Sequence, residues 1–328
     1  MPANLPPQYY VAEKRLRAAA TPSQKKAILE EMLRIMPKHK GTDHLQADLK
    51  SRLAKLRREQ AKPSGPTRAP AKVVPKEGAG QVALVGPANS GKSSLVKALT
   101  KAQPEVAAYP HTTREPQPGM MDYEDLKFQL LDLPPVSEDY NEPWLWELIK
   151  RADLVWLVLS GTGPLSDLEL TESVLAQRRI ALFPAPGEPP GDPEPGWIHL
   201  PALALVSGAD LEGTGENIEI MEELIEGRFD LLPVSSPSGQ GLEELGRLTF
   251  EALGIIRVYT KQPGRPPDLE NPFVLNRGGT VGELAARIHQ DVAARMKQAR
   301  VWSKGGNDSR TVNRGHVLAD GDTVEITI

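Results

Sequence analysis

Residues 81–102 read QVALVGPANSGKSSLVKALTKA, and this stretch decides the fold. Its first five residues are mostly apolar and predict a buried strand, whereas residues 91–102 have the apolar spacing of a helix. Residues 86–93 join the two and fit the pattern G-x-x-x-x-G-K-[ST]. In that pattern glycines let backbone N–H groups close around phosphate oxygens at a helix N-terminus. The sequence therefore predicts a phosphate-binding loop in an α/β domain.

The residues of this phosphate-binding loop have distinct expected roles. Lys92 is expected to reach the β- and γ-phosphates of a nucleotide, and the Ser93 hydroxyl is expected to bind Mg²⁺. A chance glycine-rich turn before a helix is the alternative interpretation, and the strand and helix on either side make it the weaker one. The pattern does not select the base, so ATP stays open at this point. The predicted nucleotide contacts are Gly86, Pro87, Ala88, Asn89, Ser90, Gly91, Lys92, Ser93 and Ser94.

The rest of the central region alternates between strand and helix patterns. Continuous apolar runs separated by helices predict a mostly parallel sheet covered by helices on both faces. Residues 120–128, MMDYEDLKF, predict one additional hairpin strand. The strands are expected at 81–86, 127–133, 154–160, 203–207 and 231–235, and the helices at 91–102, 142–151, 165–178, 215–226 and 239–253.

Proline and glycine clusters divide the chain into segments. The predicted segments are a basic helical region at 1–62, a linker at 63–79, a phosphate-binding domain at 80–258, a hinge at 259–269 and a small C-terminal domain at 270–328. A proline-rich surface loop is expected at 184–201. In the C-terminal domain the patterns predict short strands near 272–275 and 323–328 and a helix at 280–291.

Charge is distributed unevenly along the 328 residues. The whole chain has a net charge of −4, but residues 1–62 contain 14 Lys/Arg and 6 Asp/Glu, a net charge of +8 that leaves −12 on the remainder. A basic segment on an acidic body predicts an anionic partner, and nucleic acid is the usual one. A solvated helix surface explains the same charge and stays open as the alternative.

Composition excludes several classes of protein. The chain has no cysteine, which rules out disulfides, thiolate metal sites and cysteine nucleophiles. No apolar run approaches the roughly 18–20 residues that span a bilayer, and the first residues lack the apolar core of a signal peptide. We therefore expect a cytoplasmic protein without membrane contact.

Several further stretches give the chain a family resemblance. Residues 109–113 read YPHTT, residues 128–134 read FQLLDLP, and residues 272–302 with 316–326 resemble a TGS domain, a small β-grasp module. Together with the phosphate-binding loop, these stretches resemble the Obg superfamily of GTPases, and most closely its developmentally regulated GTP-binding protein (DRG) branch. That branch has a Y-x-F-T-T switch I, an L-L-D-L-P-G switch II and a C-terminal TGS domain. The N-terminal stretches PQYYVAEKRL and PKHKGTDHLQADLK resemble it as well.

The resemblance implies metal ligands and catalytic residues. Thr113 corresponds to the switch I threonine on Mg²⁺, with Thr112 second, and Asp132 to the switch II aspartate that holds Mg²⁺ through water. Ordinary turn or cap chemistry is the alternative at both places. Lys92 and Thr113 are the implied catalytic residues. Asn89 lies where potassium-dependent relatives have an asparagine near K⁺, so the implied cofactors are GTP or GDP, Mg²⁺ and, as a further candidate, K⁺.

Guanine recognition is implied by two motifs that both depart from the family pattern. The family's N-K-x-D motif is Ser207-Gly208-Ala209-Asp210 here, which leaves Asp210 to accept the guanine N–H bonds. The asparagine that braces the loops and the lysine stem that covers the base are both lost. A loop aspartate in a domain that has lost its nucleotide is the alternative. The third motif reads Ser235-Ser236-Pro237, and the backbone N–H near Ser236 is expected to meet guanine O6.

Switch II contains the departure with the largest expected consequence. The family's D-x-x-G is Asp132-Leu133-Pro134-Pro135 in this chain. In the family the backbone N–H of that glycine contacts the γ-phosphate, and proline has no N–H. We therefore expect poor discrimination of GTP from GDP, and impaired hydrolysis.

Two functions of different classes follow from these features. The first is a slow GTPase acting in translation or ribosome association, with residues 1–62 and the TGS domain contacting RNA or the ribosome. The second is a nucleotide-stabilised adaptor that makes the same contacts with little or no turnover. Intact switch I favours the first, whereas Pro135 and the altered base motif favour the second. An accessory protein stays open for either.

Overall fold

The computed structural model describes residues 12, 28, 31–33, 35, 74–100, 116–137, 142–191, 194–306 and 308–328. The chain forms two compact units, Met1–Ala71 and Lys72–Ile328. In the first unit the described residues are helical, and Ala12, Ile28 and Met32 are buried. The rest of the predicted basic region lies outside the described residues, as does the predicted linker up to residue 73. In the part of the chain that is described, no helix has the length and apolar character needed to cross a membrane.

Among the described residues of the second unit, seven strands form the first sheet. They are β1 Gln81–Val85, β2 Gln117–Tyr123, β3 Leu126–Asp132, β4 Leu154–Ser160, β5 Ile180–Pro184, β6 Ile198–Ser207 and β7 Leu231–Val234. Their order is β2-β3-β1-β4-β6-β5, and β7 pairs with the second half of β6. All neighbours are parallel except β2, which forms an antiparallel hairpin with β3, so the predicted hairpin strand is confirmed.

Helices cover both faces of this sheet. They are α1 Lys92–Leu99, α2 Pro143–Arg151, α3 Pro164–Gln177, α4 Thr214–Leu224 and α5 Leu242–Ala252. Side chains alternate along β1, so Val82 packs with α1 and α5 while Ala83 packs with α2, α3 and α4. The mostly parallel sheet with a helix layer on each face is therefore confirmed.

Strand β5 is not predicted from the sequence. Ile180 and Phe183 are buried and the other three residues are not, and the strand pairs with Ile198–Ala202 in the first half of β6. The expected loop at 184–201 is therefore wrong at its C-terminal end, because residues 198–201 lie within the sheet. Residues 180–183 read IALF, a short apolar run, but the prolines from Pro184 onward gave the adjoining segment the composition of a loop.

Five strands form a second sheet in the described part of residues 255–328. They are β8 Ile255–Lys261, β9 Pro267–Asn276, β10 Gln298–Trp302, β11 Ser309–Val312 and β12 Asp322–Thr327. Their order is β11-β10-β12-β8-β9, with β8 parallel to β12 and the other pairs antiparallel. Helices α6 Val281–Ile288 and α7 Gln290–Arg295 pack on one face of this sheet through Leu284 and Ala293.

The segment predicted as a hinge, residues 259–269, belongs instead to this second sheet. Lys261 at the end of β8 pairs with Pro267 at the start of β9, and Thr260 pairs with Asp268. Prolines in the connecting turn gave the segment the composition of a linker, whereas its ends are hydrogen-bonded strands. The step from the first sheet to the second falls at Gly254, between α5 and β8.

Candidate functional site

The predicted nucleotide-binding residues lie at the carboxyl edge of the first sheet. The phosphate-binding loop follows β1, Asp132 ends β3, and residues 207–210 and 235–236 follow β6 and β7. Because these four strands run in one direction, their C-terminal ends lie on the same edge. Open α/β sheets bind their ligands at this edge.

Two glycines allow the phosphate-binding loop to close against the sheet. A Cβ on Gly86 would lie 2.2 Å from the Val158 carbonyl oxygen of β4, which leaves no room for any other residue. Gly91 has φ of 92° immediately before α1, a conformation that favours glycine. Asn89 also has a positive φ, 63°, which asparagine tolerates. This backbone role accounts for Asn89, and K⁺ binding there stays a prediction.

Lys92 is buried against the loop that precedes it. Its Nζ donates hydrogen bonds to the carbonyl oxygens of Gly86, at 2.9 Å, and Pro87, at 2.6 Å. A third bond reaches Ser90 Oγ at 3.3 Å. The ammonium group is therefore held at the loop, where phosphate oxyanions can replace the carbonyl oxygens as its partners.

The protonation of Lys92 predicts a pH dependence of nucleotide binding. Burial lowers the pKa of Lys92 to about 8, and the charges of Asp132 and Asp167 oppose that effect. The charged, phosphate-binding form therefore dominates below pH 8 and is lost above it. Between pH 7 and pH 9 its fraction falls about tenfold, so we expect GDP affinity to fall about tenfold if the bound lysine stays charged.

Calorimetric titration of GDP across that pH range measures this effect. The Lys92→Arg variant is the matched control, because a guanidinium group keeps its charge throughout the range and its affinity should not fall. A flat pH profile for the unaltered protein would contradict a phosphate contact by the Lys92 ammonium.

Asp132 and Ser93 form an arrangement that fits a divalent cation. Asp132 is buried, its carboxylate accepts a hydrogen bond from the Ser93 side chain, and its Oδ1 has no partner among the described residues. Burial raises the pKa of Asp132, and the Ser93 hydrogen bond and the Lys92 charge oppose that rise. A hydroxyl beside a carboxylate with an unsatisfied oxygen suits the oxygen ligands that Mg²⁺ prefers. Thr112 and Thr113 lie outside the described residues.

The segment after Asp132 is hydrogen-bonded to the phosphate-binding loop. The Val136 backbone N–H donates to the Gly86 carbonyl oxygen at 3.0 Å, and both Val136 and Pro134 are buried. Pro134 and Pro135 have no backbone N–H. Residues 134–136 therefore present no free backbone N–H to a phosphate.

Ser207 braces the loop after β6 against the phosphate-binding loop. Its Oγ donates a hydrogen bond to the Ser90 carbonyl oxygen at 2.8 Å. Ser207 therefore joins these two loops although the family's asparagine is absent. The short serine side chain reaches Ser90 because Gly91 leaves space, since a Cβ on Gly91 would lie 2.8 Å from the Ser207 hydroxyl.

Asp210 is exposed in a turn that two hydrogen bonds hold in place. The Ala209 N–H donates to the Val234 carbonyl oxygen at 3.1 Å, and the Thr214 hydroxyl donates to the Gly208 carbonyl oxygen at 2.9 Å. The first of these bonds joins the Asp210 turn to the end of β7. The structure thus brings together the two loops that were expected to contact the base.

Ser235 has a structural role that sequence analysis did not distinguish from a base contact. It is buried, and its hydroxyl accepts the Ser238 N–H at 3.2 Å. Its own N–H donates to the Gln240 carbonyl oxygen at 3.0 Å. Ser235 therefore shapes the turn that carries Ser236, and the contact of Ser236 with guanine stays a prediction.

Asp167 belongs to the electrostatic surroundings of Lys92 and was missed in the sequence. It lies in the first turn of α3, and its Oδ2 accepts the N–H of Ser160, the last residue of β4, at 2.7 Å. Burial raises the pKa of Asp167, and the Ser160 bond and the Lys92 charge oppose that rise. Acidic residues are common in the first turn of helices, so local sequence carries no signal of this role.

Comparison with known proteins covers nearly the whole chain. Residues 81–183 match a family model described as 50S ribosome-binding GTPase, and residues 256–328 match that of the TGS domain. A "Developmentally-regulated GTP-binding protein 1 homolog" of Dictyostelium discoideum is 30% identical over 92% of this chain and 97% of its own length. "Developmentally-regulated G-protein 3" of Arabidopsis thaliana is 29% identical over 94% and 99%. An uncharacterized GTP-binding protein of Methanocaldococcus jannaschii is 28% identical over 92% and 91%.

Proposed function

The chain belongs to the developmentally regulated GTP-binding protein family, with a P-loop GTPase domain followed by a TGS domain, and from this premise we propose that it is a slow GTPase. The observation that supports this most is the buried Lys92 at the phosphate-binding loop, beside the Ser93–Asp132 hydrogen bond. We place the boundary between the two domains at Gly254. A cytoplasmic location and an accessory protein remain predictions.

In this proposal the residues of the phosphate-binding loop bind and orient the nucleotide. Lys92 contacts the β- and γ-phosphates, and the N-terminus of α1 adds favourable potential at the same place. Ser93, Asp132 and Thr113 are the proposed ligands of Mg²⁺, directly or through water. Mg²⁺, when bound, would neutralise charge that develops on the phosphates.

Base selection is proposed to depend on Asp210. Its carboxylate can accept the guanine N–H bonds, which adenine cannot offer. Losing such a paired acceptor costs about 1–3 kcal/mol, or roughly 5- to 150-fold in affinity. We expect Asp210→Ala to remove most of the preference for GDP over ADP in calorimetric titrations, while the exposed neighbour Glu212→Ala leaves it unchanged. Equal binding of ADP and GDP by the unaltered protein would contradict this role.

Turnover is proposed to be slow because the switch II segment cannot contact the γ-phosphate in the family's way. Pro134 and Pro135 lack an N–H, and the Val136 N–H is already bonded to Gly86. The two prolines also restrict the backbone, so the segment has fewer conformations to exchange between nucleotide states.

We expect Pro135→Gly to raise the affinity for a non-hydrolysable GTP analogue relative to GDP. A charge-assisted hydrogen bond regained at this position contributes about 1.5–3 kcal/mol, or roughly 10- to 150-fold. Pro263→Gly, in the exposed turn between β8 and β9, is the matched control and should change nothing. Suppose instead that the unaltered protein prefers the analogue over GDP and hydrolyses GTP as fast as the glycine variant. That result would show that Pro135 impairs neither GTP discrimination nor hydrolysis.

The alternative is an adaptor that binds nucleotide without useful turnover. Both proposals include contact with RNA or the ribosome through residues 1–62 and the TGS domain, and the net charge of +8 on residues 1–62 supports that contact. Phosphate release from GTP separates the two. The assay contains Mg²⁺ and K⁺, and the Lys92→Ala variant sets the background. Phosphate release above that background supports the GTPase, and release equal to it supports the adaptor.

A further inference from the structure

A cavity of about 360 Å³ lies on the face of the second sheet that α6 and α7 leave open. Val258 of β8 packs into the core beneath the helices, whereas Tyr259 and Lys261 line the cavity on the opposite face. The Tyr259 hydroxyl donates a hydrogen bond to Asp125 in the turn between β2 and β3, so the first domain borders the cavity at this end. Trp302, at the end of β10, lines the same cavity. Leu269 of β9 forms another wall and is 58% exposed. The cavity walls therefore include a half-buried aromatic ring and an exposed aliphatic side chain.

Two lysines line the cavity together with Trp302. Lys261 Nζ lies 4.5 Å from the ring centroid, and Lys304 lines the cavity from the turn after β10. Glu325 lies 3.9 Å from Lys261 Nζ and holds that ammonium near the ring. The second sheet and its helices, residues 255–328, contain 11 Lys/Arg against 8 Asp/Glu. This part of the molecule suits a ligand that combines a flat ring with negative charge.

We propose that this cavity binds one nucleotide, with its base stacked on Trp302 and its phosphate near Lys261 and Lys304. Its volume lies within the range of small-molecule sites. Bases stack on aromatic rings with little regard to sequence, and lysines neutralise the phosphate. A residue of single-stranded RNA and a free mononucleotide both present this chemistry. The inference rests on the proposed RNA contact of the TGS domain and names the residues that make it.

The first test uses the full chain with saturating GDP, so that the phosphate-binding loop is occupied. Anisotropy of a labelled 12-nucleotide uridine RNA measures its affinity, and unlabelled UMP is the competitor. We expect Trp302→Ala to weaken RNA binding about tenfold or more, because base stacking is lost. Trp197→Ala is the matched control, since Trp197 is a half-buried tryptophan of the GTPase domain and should leave binding unchanged.

A second variant keeps the test valid if Trp302→Ala fails to fold. Lys304 is exposed, so Lys304→Glu should preserve the fold, weaken RNA binding and reduce its salt dependence. Lys297→Glu, also exposed and in the same domain, is its control. If UMP displaces the RNA, the ligand of the cavity is a free nucleotide. If UMP does not compete while the cavity variants still weaken RNA binding, the ligand is a residue of RNA.

The negative outcomes separate this inference from the proposed function. RNA binding that is equal in the cavity variants and their controls overturns the nucleotide site while leaving RNA association to other residues. If no protein binds either the RNA or UMP, both this inference and the proposed RNA contact are wrong.

Discussion

Replacing Lys92 by alanine is expected to lower the affinity for GDP and GTP about 100-fold or more without unfolding the protein. Truncating one partner of a buried, hydrogen-bonded charge pair costs about 2–5 kcal/mol, and about 100-fold corresponds to roughly 2.7 kcal/mol. The substitution removes the bonds from Nζ to Gly86, Pro87 and Ser90. It also removes a buried ammonium group, and burial disfavours the charged form of that group, as the lowered pKa of Lys92 indicates. The loss of these hydrogen bonds is therefore offset by the removal of an unfavourable buried charge. Thermal stability without nucleotide should therefore change little.

Calorimetric titration in the presence of Mg²⁺ measures this loss. Lys127→Ala is the control within the same domain, because Lys127 is exposed and its 3.4 Å pair with Asp122 lies on the surface, where ion pairs contribute little. GDP affinity that survives Lys92→Ala would show that the loop does not bind the phosphates.

Replacing Arg257 by alanine is expected to lower the free energy of unfolding by about 3 kcal/mol. Arg257 on β8 is buried, and its Nε and Nη2 donate to the two Asp320 carboxylate oxygens at 3.0 and 2.8 Å. Its Nη1 contacts Glu124 and, at 3.1 Å, Asp125 in the turn between β2 and β3. The Phe250 ring of α5 lies 4.9 Å from the guanidinium group. Without Arg257 the surrounding carboxylates lose their cation, and breaking such a pair is strongly unfavourable.

Chemical denaturation of the two variants Arg257→Ala and Arg300→Ala measures this difference. Arg300 is exposed on β10, so its loss should change stability by no more than about 0.5 kcal/mol. Arg257→Met retains an apolar stem and should recover packing but not the ion pairs. If the Arg257→Ala and Arg300→Ala variants had equal free energies of unfolding, the ion pairs of Arg257 would have no stabilising role.

The Arg257 effect should also depend on pH. Burial acts to raise the pKa of Asp320, but hydrogen bonds from the Arg257 side chain and backbone outweigh it and leave that pKa below its ordinary value of 3.8. The stabilisation is therefore present above the ordinary value and is lost as the pH falls through the lowered one. The difference between the unaltered protein and Arg257→Ala should shrink in strong acid.

Local sequence patterns predicted the parts of the molecule that depend on neighbouring residues. The phosphate-binding loop could be identified because strand, loop and helix follow one another within residues 81–102. The central strands β1, β4, β6 and β7 have continuous apolar runs because both faces of the sheet are covered. Strand β5 was missed although residues 180–183 read IALF, because a short apolar run beside a proline-rich segment does not by itself identify a strand. Strand β8 was not predicted, and only residues 272–275 of β9 were.

Contacts between distant residues explain what local patterns could not predict. Ser207 braces Ser90, 117 positions away, and it can do so because Gly91 leaves space for its hydroxyl. Asp167 acts on Lys92 through a helix turn whose sequence resembles an ordinary cap. Neither residue type nor spacing reports such proximity, because it depends on how strands are ordered in the sheet.

The sequence by itself determined the phosphate-binding loop, the alternation of strands and helices, and the loss of backbone N–H groups at Pro134 and Pro135. These are properties of residue types and of their immediate neighbours. Only the tertiary structure decided that the Val136 N–H is taken by Gly86, that Ser207 joins the loop after β6 to the phosphate-binding loop, and that β8 joins the second sheet. The reason is physical, because hydrogen bonds and buried charges depend on distances in space, and folding sets those distances for residues that are far apart in the chain.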